Sequence, residues 1–83
     1  MSIYKRVLET NGSDFQRMRI AEELCELAQA VLKGTDIDNI EEEIADVQIV
    51  FKYLPLVFDI SKDRIQEWKD IKIKRLKKDY PIG

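Results

Sequence analysis

The stretch AVLKGTDIDNIEEE, residues 30 to 43, decides the architecture of this chain. Lys33 followed by Gly34 reads as a helix stop, because a glycine just past the last turn takes the left-handed conformation that releases the chain. Asp38 and Glu41, in DNIE, read as the capping box that opens the next helix. Only the loop GTDI separates the two signals. A link that short turns the second helix back beside the first, in antiparallel contact.

Upstream, a long helix is expected from Ser13 to Lys33, opened by SDFQ as a further capping box in which Gln16 reaches back. Its apolar residues Phe15, Met18, Ala21, Leu24, Cys25, Ala28, Val31 and Leu32 recur at three- and four-residue steps, the spacing of a core stripe. Downstream, Ile40, Ile44, Val47, Phe51 and Leu54 share one face of the following helix, while Ile49, Val50 and Tyr53 lie elsewhere on it. Apolar nearly all round, that helix is expected to be sandwiched between neighbours. A short first helix spans Ile3 to Thr10 and stops at Asn11-Gly12. Pro55 kinks or ends the third helix, with LVFDI as a continuation or bridge. Ser61 caps a last helix that runs to about Asp79, closed by Pro81 and Gly83. In it Trp68 aligns with Ile65, Ile71 and Leu76, which makes it a core residue in expectation. The expected fold is all-α: one domain over residues 1–83, four helical segments, and a small bundle built around a central antiparallel hairpin.

With 83 residues the chain sits near the lower limit for burying its own core, so self-association as a homodimer or homotetramer is expected. A net charge of −2 argues against a nucleic-acid binder driven by electrostatics. The charge is unevenly spread: Asp36 to Asp46 holds six acids and no base, and Lys69 to Lys78 holds six bases and one acid. The single cysteine cannot form an internal disulfide, and no apolar run reaches signal-peptide or membrane-span length. A cytoplasmic protein without a membrane partner is therefore expected. There is no histidine, which removes Ser-His-Asp and Cys-His catalysis and histidine-based zinc and di-iron sites.

What remains for chemistry is oxygen. AEELCELAQA (Ala21 to Ala30) and EEEIADVQIV (Glu41 to Val50) contain no Lys or Arg. Residues three apart on a helix share a face, so Glu23 pairs with Glu26 and Glu43 with Asp46. An antiparallel hairpin can set the two pairs opposite each other as a cluster of four carboxylates. Like charges at this spacing repel, and only Arg19, ahead of Glu22 and Glu23, offers local relief. A hard divalent cation, Mg²⁺ or Mn²⁺, would remove the repulsion. The alternative is that glutamates simply favour helices and first turns and that both faces are solvated.

The same residues carry a resemblance. EELCE (Glu22 to Glu26), a spacer of fifteen residues, then EEIAD (Glu42 to Asp46) resembles the E-E-x-x-E, spacer, E-E-x-x-D signature of the MazG-like all-α nucleoside triphosphate pyrophosphohydrolases. Gly12 to Gln16, the ADV after the second pair and the basic KIKRLKKDY extend the likeness over most of the chain. The resemblance implies that Glu23, Glu26, Glu43 and Asp46 hold Mg²⁺, and that Glu22 and Glu42 support the site or activate water. It also implies cleavage of a nucleoside triphosphate between its α and β phosphates. Lys72, Arg75 and Lys78, at three-residue steps, either grip the triphosphate tail or form a solvated stripe. Tyr53, seven positions beyond Asp46, is a candidate for the pocket wall. Cys25 reads as a packing residue. A helical interaction module without catalysis, pairing acidic with basic helices between chains, is the second reading.

Overall fold

The computed structural model describes residues 2–82, and among them every regular element is helical. Helix α1 (Ile3–Asn11) begins where the Ser2 hydroxyl accepts from the Lys5 amide. Gly12 ends it at φ 86°, its N–H donating to the Leu8 carbonyl at 2.8 Å. Helix α2 (Ser13–Lys33) follows at once, so Gly12 is the C-cap of one helix and the N-cap of the next. That dual role displaces the capping box expected at SDFQ. Ser13 is already the first helical residue, and buried Gln16 instead accepts from Asn11 Nδ2 at 3.5 Å.

Gly34 closes α2 at φ 65° and bonds the Ala30 carbonyl at 3.0 Å. Only Thr35 and Asp36 separate it from α3 (Ile37–Phe51), whose cap is Asp36 and not Asp38. The Asp36 carboxylate accepts from the Asn39 amide at 3.1 Å. Both aspartates have the right chemistry, and the tight release at Gly34 brings the earlier one into place. After α3, a single turn α4 (Leu54–Val57) carries Pro55 in its first turn, where the missing N–H leaves no hydrogen bond unmade. Helix α5 (Lys62–Asp79) starts at the expected cap, Ser61, which accepts from the Arg64 amide at 3.2 Å.

The main packing is α2 on α3, with α1 and α4 each against α2. The core is small: Ile20, Val50 and Tyr53, joined by half-buried Tyr4, Val7, Leu54 and Val57. Tyr4 meets Tyr53 edge to face with ring centroids 5.4 Å apart. Val47 and Ala30 are also buried.

The stripe expected to form the core of α2 faces outward. Phe15, Met18, Ala21, Leu24, Cys25, Ala28, Val31 and Leu32 are all exposed, and the covered side of α2 is Gln16, Ile20, Glu23, Leu27 and Ala30. Along α3 and the turn that follows it the same shift occurs: Val47 is buried as expected, Ile40 and Leu54 are half-buried, but Ile44 and Phe51 are exposed and Val50 and Tyr53 lie inside. Each helix carries more apolar surface than one neighbour can cover. Trp68, expected in the core, is 52% exposed and lies under the Arg64 guanidinium at 5.6 Å. No residue of α5 is buried. The radius of gyration, 16.4 Å, exceeds the ~12 Å of a compact chain of this length. No helix among the described residues is long and apolar enough to cross a membrane.

Candidate metal centre

Packing α2 on α3 places Glu23 on the buried side of α2, not at the margin of its apolar stripe. Its exposure is 4%. One carboxylate oxygen, Oε1, forms an ion pair with Arg19 Nη2 at 2.9 Å, one turn earlier on the same helix. The other, Oε2, is buried without a hydrogen-bond partner. Across the interface Glu43 repeats the situation, with its own Oε2 buried and unpartnered. A buried acceptor left unmatched costs roughly 1–3 kcal/mol, so one such atom on each of the two packed helices sets this place apart from the rest of the α2–α3 contact.

Glu23, Glu43 and Asp46 each offer an oxygen such that all three lie within 4.8 Å of one another. The register follows from the helix repeat: Glu43 and Asp46 are three residues apart on α3, and both meet the middle of α2. Burial pushes the Glu23 carboxyl above the ordinary range, and the charge of Glu26 adds to this. Arg19 opposes the rise and Asp46 reinforces it. Glu43 is raised as well, first by desolvation and then by Glu26, Asp46, Glu23 and Glu42. Five acids press on one another with one guanidinium among them.

Of the four carboxylates expected to converge, three do so directly. Glu26 stands beside them, close enough for its charge to act on both Glu23 and Glu43. It lines a cleft of about 570 Å³ with Gln29, Ala30, Lys33, Asn39 and Glu43, a volume in the range of small-molecule sites. Gln29, Lys33 and Asn39 were not picked out by the acidic motif. Their signal was available in spacing alone, since Gln29 and Lys33 follow Glu26 by three and seven residues and Asn39 precedes Glu43 by four.

Glu22 and Glu42 are exposed at the edges of the two helices, and Glu22 pairs with Arg19 at 3.3 Å. Tyr53 is buried in the core against Tyr4. Lys72, Arg75 and Lys78 lie on α5, which has no extensive packing on any other helix, so within one copy they are not gathered with the acids. Cys25 is a free, exposed thiol on the outward side of α2.

The donor set fits a hard divalent cation. It is all oxygen, it carries excess negative charge, and two of its residues hold a buried oxygen with no partner. Comparison with known proteins adds no relative: no protein-family model matches the chain, and neither a curated protein nor a solved structure does.

Proposed function

We propose that the chain is an Mg²⁺-dependent nucleoside triphosphate pyrophosphohydrolase of the MazG-like type, acting as a homo-oligomer around a central α2–α3 antiparallel hairpin. The observation that carries this reading is the convergence of Glu23, Glu43 and Asp46, in which Glu23 and Glu43 each hold a buried, unpartnered carboxylate oxygen. Glu23, Glu43 and Asp46 would hold the cation, with Glu26 at the mouth of the cleft as the fourth acid. When bound, Mg²⁺ (or Mn²⁺) would neutralise phosphate charge and make a coordinated water more acidic.

The chain's own residues do the rest. Arg19 holds Glu23 in its buried rotamer and limits the repulsion among the acids before substrate arrives. Glu22 and Glu42, the exposed acids adjoining the ligands, are the candidates for accepting the proton of the attacking water. That water adds to the α phosphorus, the α–β bridging bond breaks, and pyrophosphate leaves from a nucleoside monophosphate. Lys33, on the wall of the cleft, supplies a cation for the phosphate chain. Lys72, Arg75 and Lys78 would add to it from a neighbouring copy.

The experiment is incubation with a panel of ribo- and deoxyribonucleoside triphosphates and Mg²⁺, with products separated by ion-exchange chromatography. Monophosphate and pyrophosphate in equal amounts are expected, with activity lost in EDTA and in Glu43→Gln. Orthophosphate as the sole product, or equal turnover in EDTA, overturns the proposal. A purely structural helical module is the second reading, favoured by the large exposed apolar surface of α2, α3 and α5. It requires that no nucleotide in the panel be turned over.

A further inference from the structure

The cleft beside the carboxylates has two unlike ends. Glu26 and Glu43 stand at the end that adjoins Glu23 and Asp46, whereas Gln29, Lys33 and Asn39 line it toward the α2–α3 turn. The helix repeat sets the spacing: Gln29 lies about 4.5 Å along α2 from Glu26, Asn39 about 6 Å along α3 from Glu43, and Lys33 about 10 Å from Glu26. Each helix therefore contributes one amide about one turn beyond its acid, with the lysine a further turn out.

What these three side chains share is N–H donors. Gln29 and Asn39 each carry an amide NH₂, and Lys33 carries an ammonium with three N–H bonds. Among the described residues no side-chain hydrogen bond or ion pair engages any of the three groups. The acids nearest Asn39 in sequence, Asp36, Asp38 and Glu41, do not line the cleft, so beyond Glu26 and Glu43 its wall holds one positive charge and no negative one.

Carboxylates at one end and unengaged donors at the other suit a ligand whose anionic groups run in a row. Its nearer groups would share a cation with the acids, and its last group would meet N–H donors. We infer that Gln29 and Asn39 are specificity-determining residues which, with Lys33, bind the terminal phosphate of the substrate: the phosphate tail lies along the cleft toward the α2–α3 turn, and the site sorts triphosphates from shorter chains. This direction rests on the hydrolase reading, in which the tail is the pyrophosphate that leaves.

The test is calorimetric titration of inorganic pyrophosphate into the full chain in millimolar Mg²⁺, beside turnover of a nucleoside triphosphate and the corresponding diphosphate. Wild type should bind pyrophosphate. Gln29→Leu and Asn39→Leu, which remove donors without adding charge, should each weaken that binding about tenfold to a hundredfold, the worth of a hydrogen bond to a charged group. In turnover the loss should fall on the triphosphate and narrow its advantage over the diphosphate, an effect that general damage to the fold would not produce. Gln29 is exposed and Asn39 half-buried; circular dichroism checks that both variants stay helical, and the wild-type titration stands without them. Wild type that does not bind pyrophosphate overturns the inference, as does an equal loss on triphosphate and diphosphate. A nucleotide panel without turnover overturns the hydrolase reading, whereas turnover with pyrophosphate affinity untouched in both variants overturns only the placement of the tail.

Discussion

Adding Mg²⁺ or Mn²⁺ to metal-free protein should raise its melting temperature, by an amount that can be worked out. An octahedral ion with bonds of about 2.1 Å holds its ligand oxygens between about 3.0 and 4.2 Å apart. Those of Glu23, Glu43 and Asp46 already lie within 4.8 Å of one another, so displacements of under about 1 Å bring them onto one ion. Side-chain rotation suffices, and little binding energy is spent on rearranging the helices. The unfolded chain has no comparable cluster, so binding appears as folding stability. At a free cation concentration one hundred times Kd the gain is about 2.7 kcal/mol. In a domain of this size each kcal/mol moves Tm by about 4–8 °C, which gives a shift of about 11–22 °C.

The assay is a thermal melt followed at 222 nm, at fixed protein concentration, in chelator and then across a cation titration. Potassium chloride at matched ionic strength is the control, because the uneven charge of this chain makes its stability respond to screening alone. Glu43→Gln should lose most of the divalent shift, since it replaces a charged ligand by a neutral one. If Mg²⁺ and Mn²⁺ at millimolar concentration do no more than the salt control, or if Glu43→Gln gains as much as the wild type, the carboxylates do not share a cation and the metal centre is refuted.

The remaining expectations concern the metal-free protein and the helix ends. Because Glu23 and Glu43 are held above their ordinary value of 4.5, the folded state takes up protons more readily than the unfolded chain. Their contribution is fully present below the ordinary value and is lost as pH rises through the folded ones. The urea midpoint should therefore climb as pH falls from neutrality toward about 4.5, and this slope should flatten in saturating Mg²⁺; a midpoint that falls over that window contradicts it. Glu43→Gln should raise the metal-free urea midpoint at neutral pH by relieving the repulsion around Glu23, and a lowered midpoint would show that its charge is already compensated. Gly34→Ala forces a side chain into the left-handed region at φ 65° and should cost about 1 kcal/mol, read as a lower Tm. Asp36→Ala should cost about 1 kcal/mol by removing the cap of α3, whereas Asp38→Ala should cost clearly less, in the same melt.

Local chemistry made the helix boundaries readable. Asn11-Gly12, Gly34 and Ser61 each act through one residue and its immediate neighbours, and all three stand where expected. The cap at Ser13 was misplaced because Gly12 ends one helix and opens the next, and the cap at Asp38 because Asp36, two residues earlier, carries the same carboxylate and is brought into place by the release at Gly34. The acidic motif located Glu23, Glu43 and Asp46 because i, i+3 spacing fixes a shared face whatever surrounds the helix. It could not say how far Glu26 would stand from the other three, since that depends on the rotation of α2 against α3.

That rotation is where the apolar pattern misled. Three-four spacing says that a face wants cover, and does not say whose atoms provide it. On α2 two faces satisfy the pattern. Gln16, Ile20, Glu23, Leu27 and Ala30 contain two polar residues and read as the weaker stripe, yet they form the covered side of α2. The purer stripe from Phe15 to Leu32 faces away, with Leu32 at 86% exposure. A chain selected only to fold alone would place its most apolar face inside, because burial of that face stabilises most. Here the less apolar face is the buried one and brings Glu23 to Glu43 and Asp46, and the more apolar one is exposed. The exposed stripe is therefore an apolar face of α2 still open to a further contact.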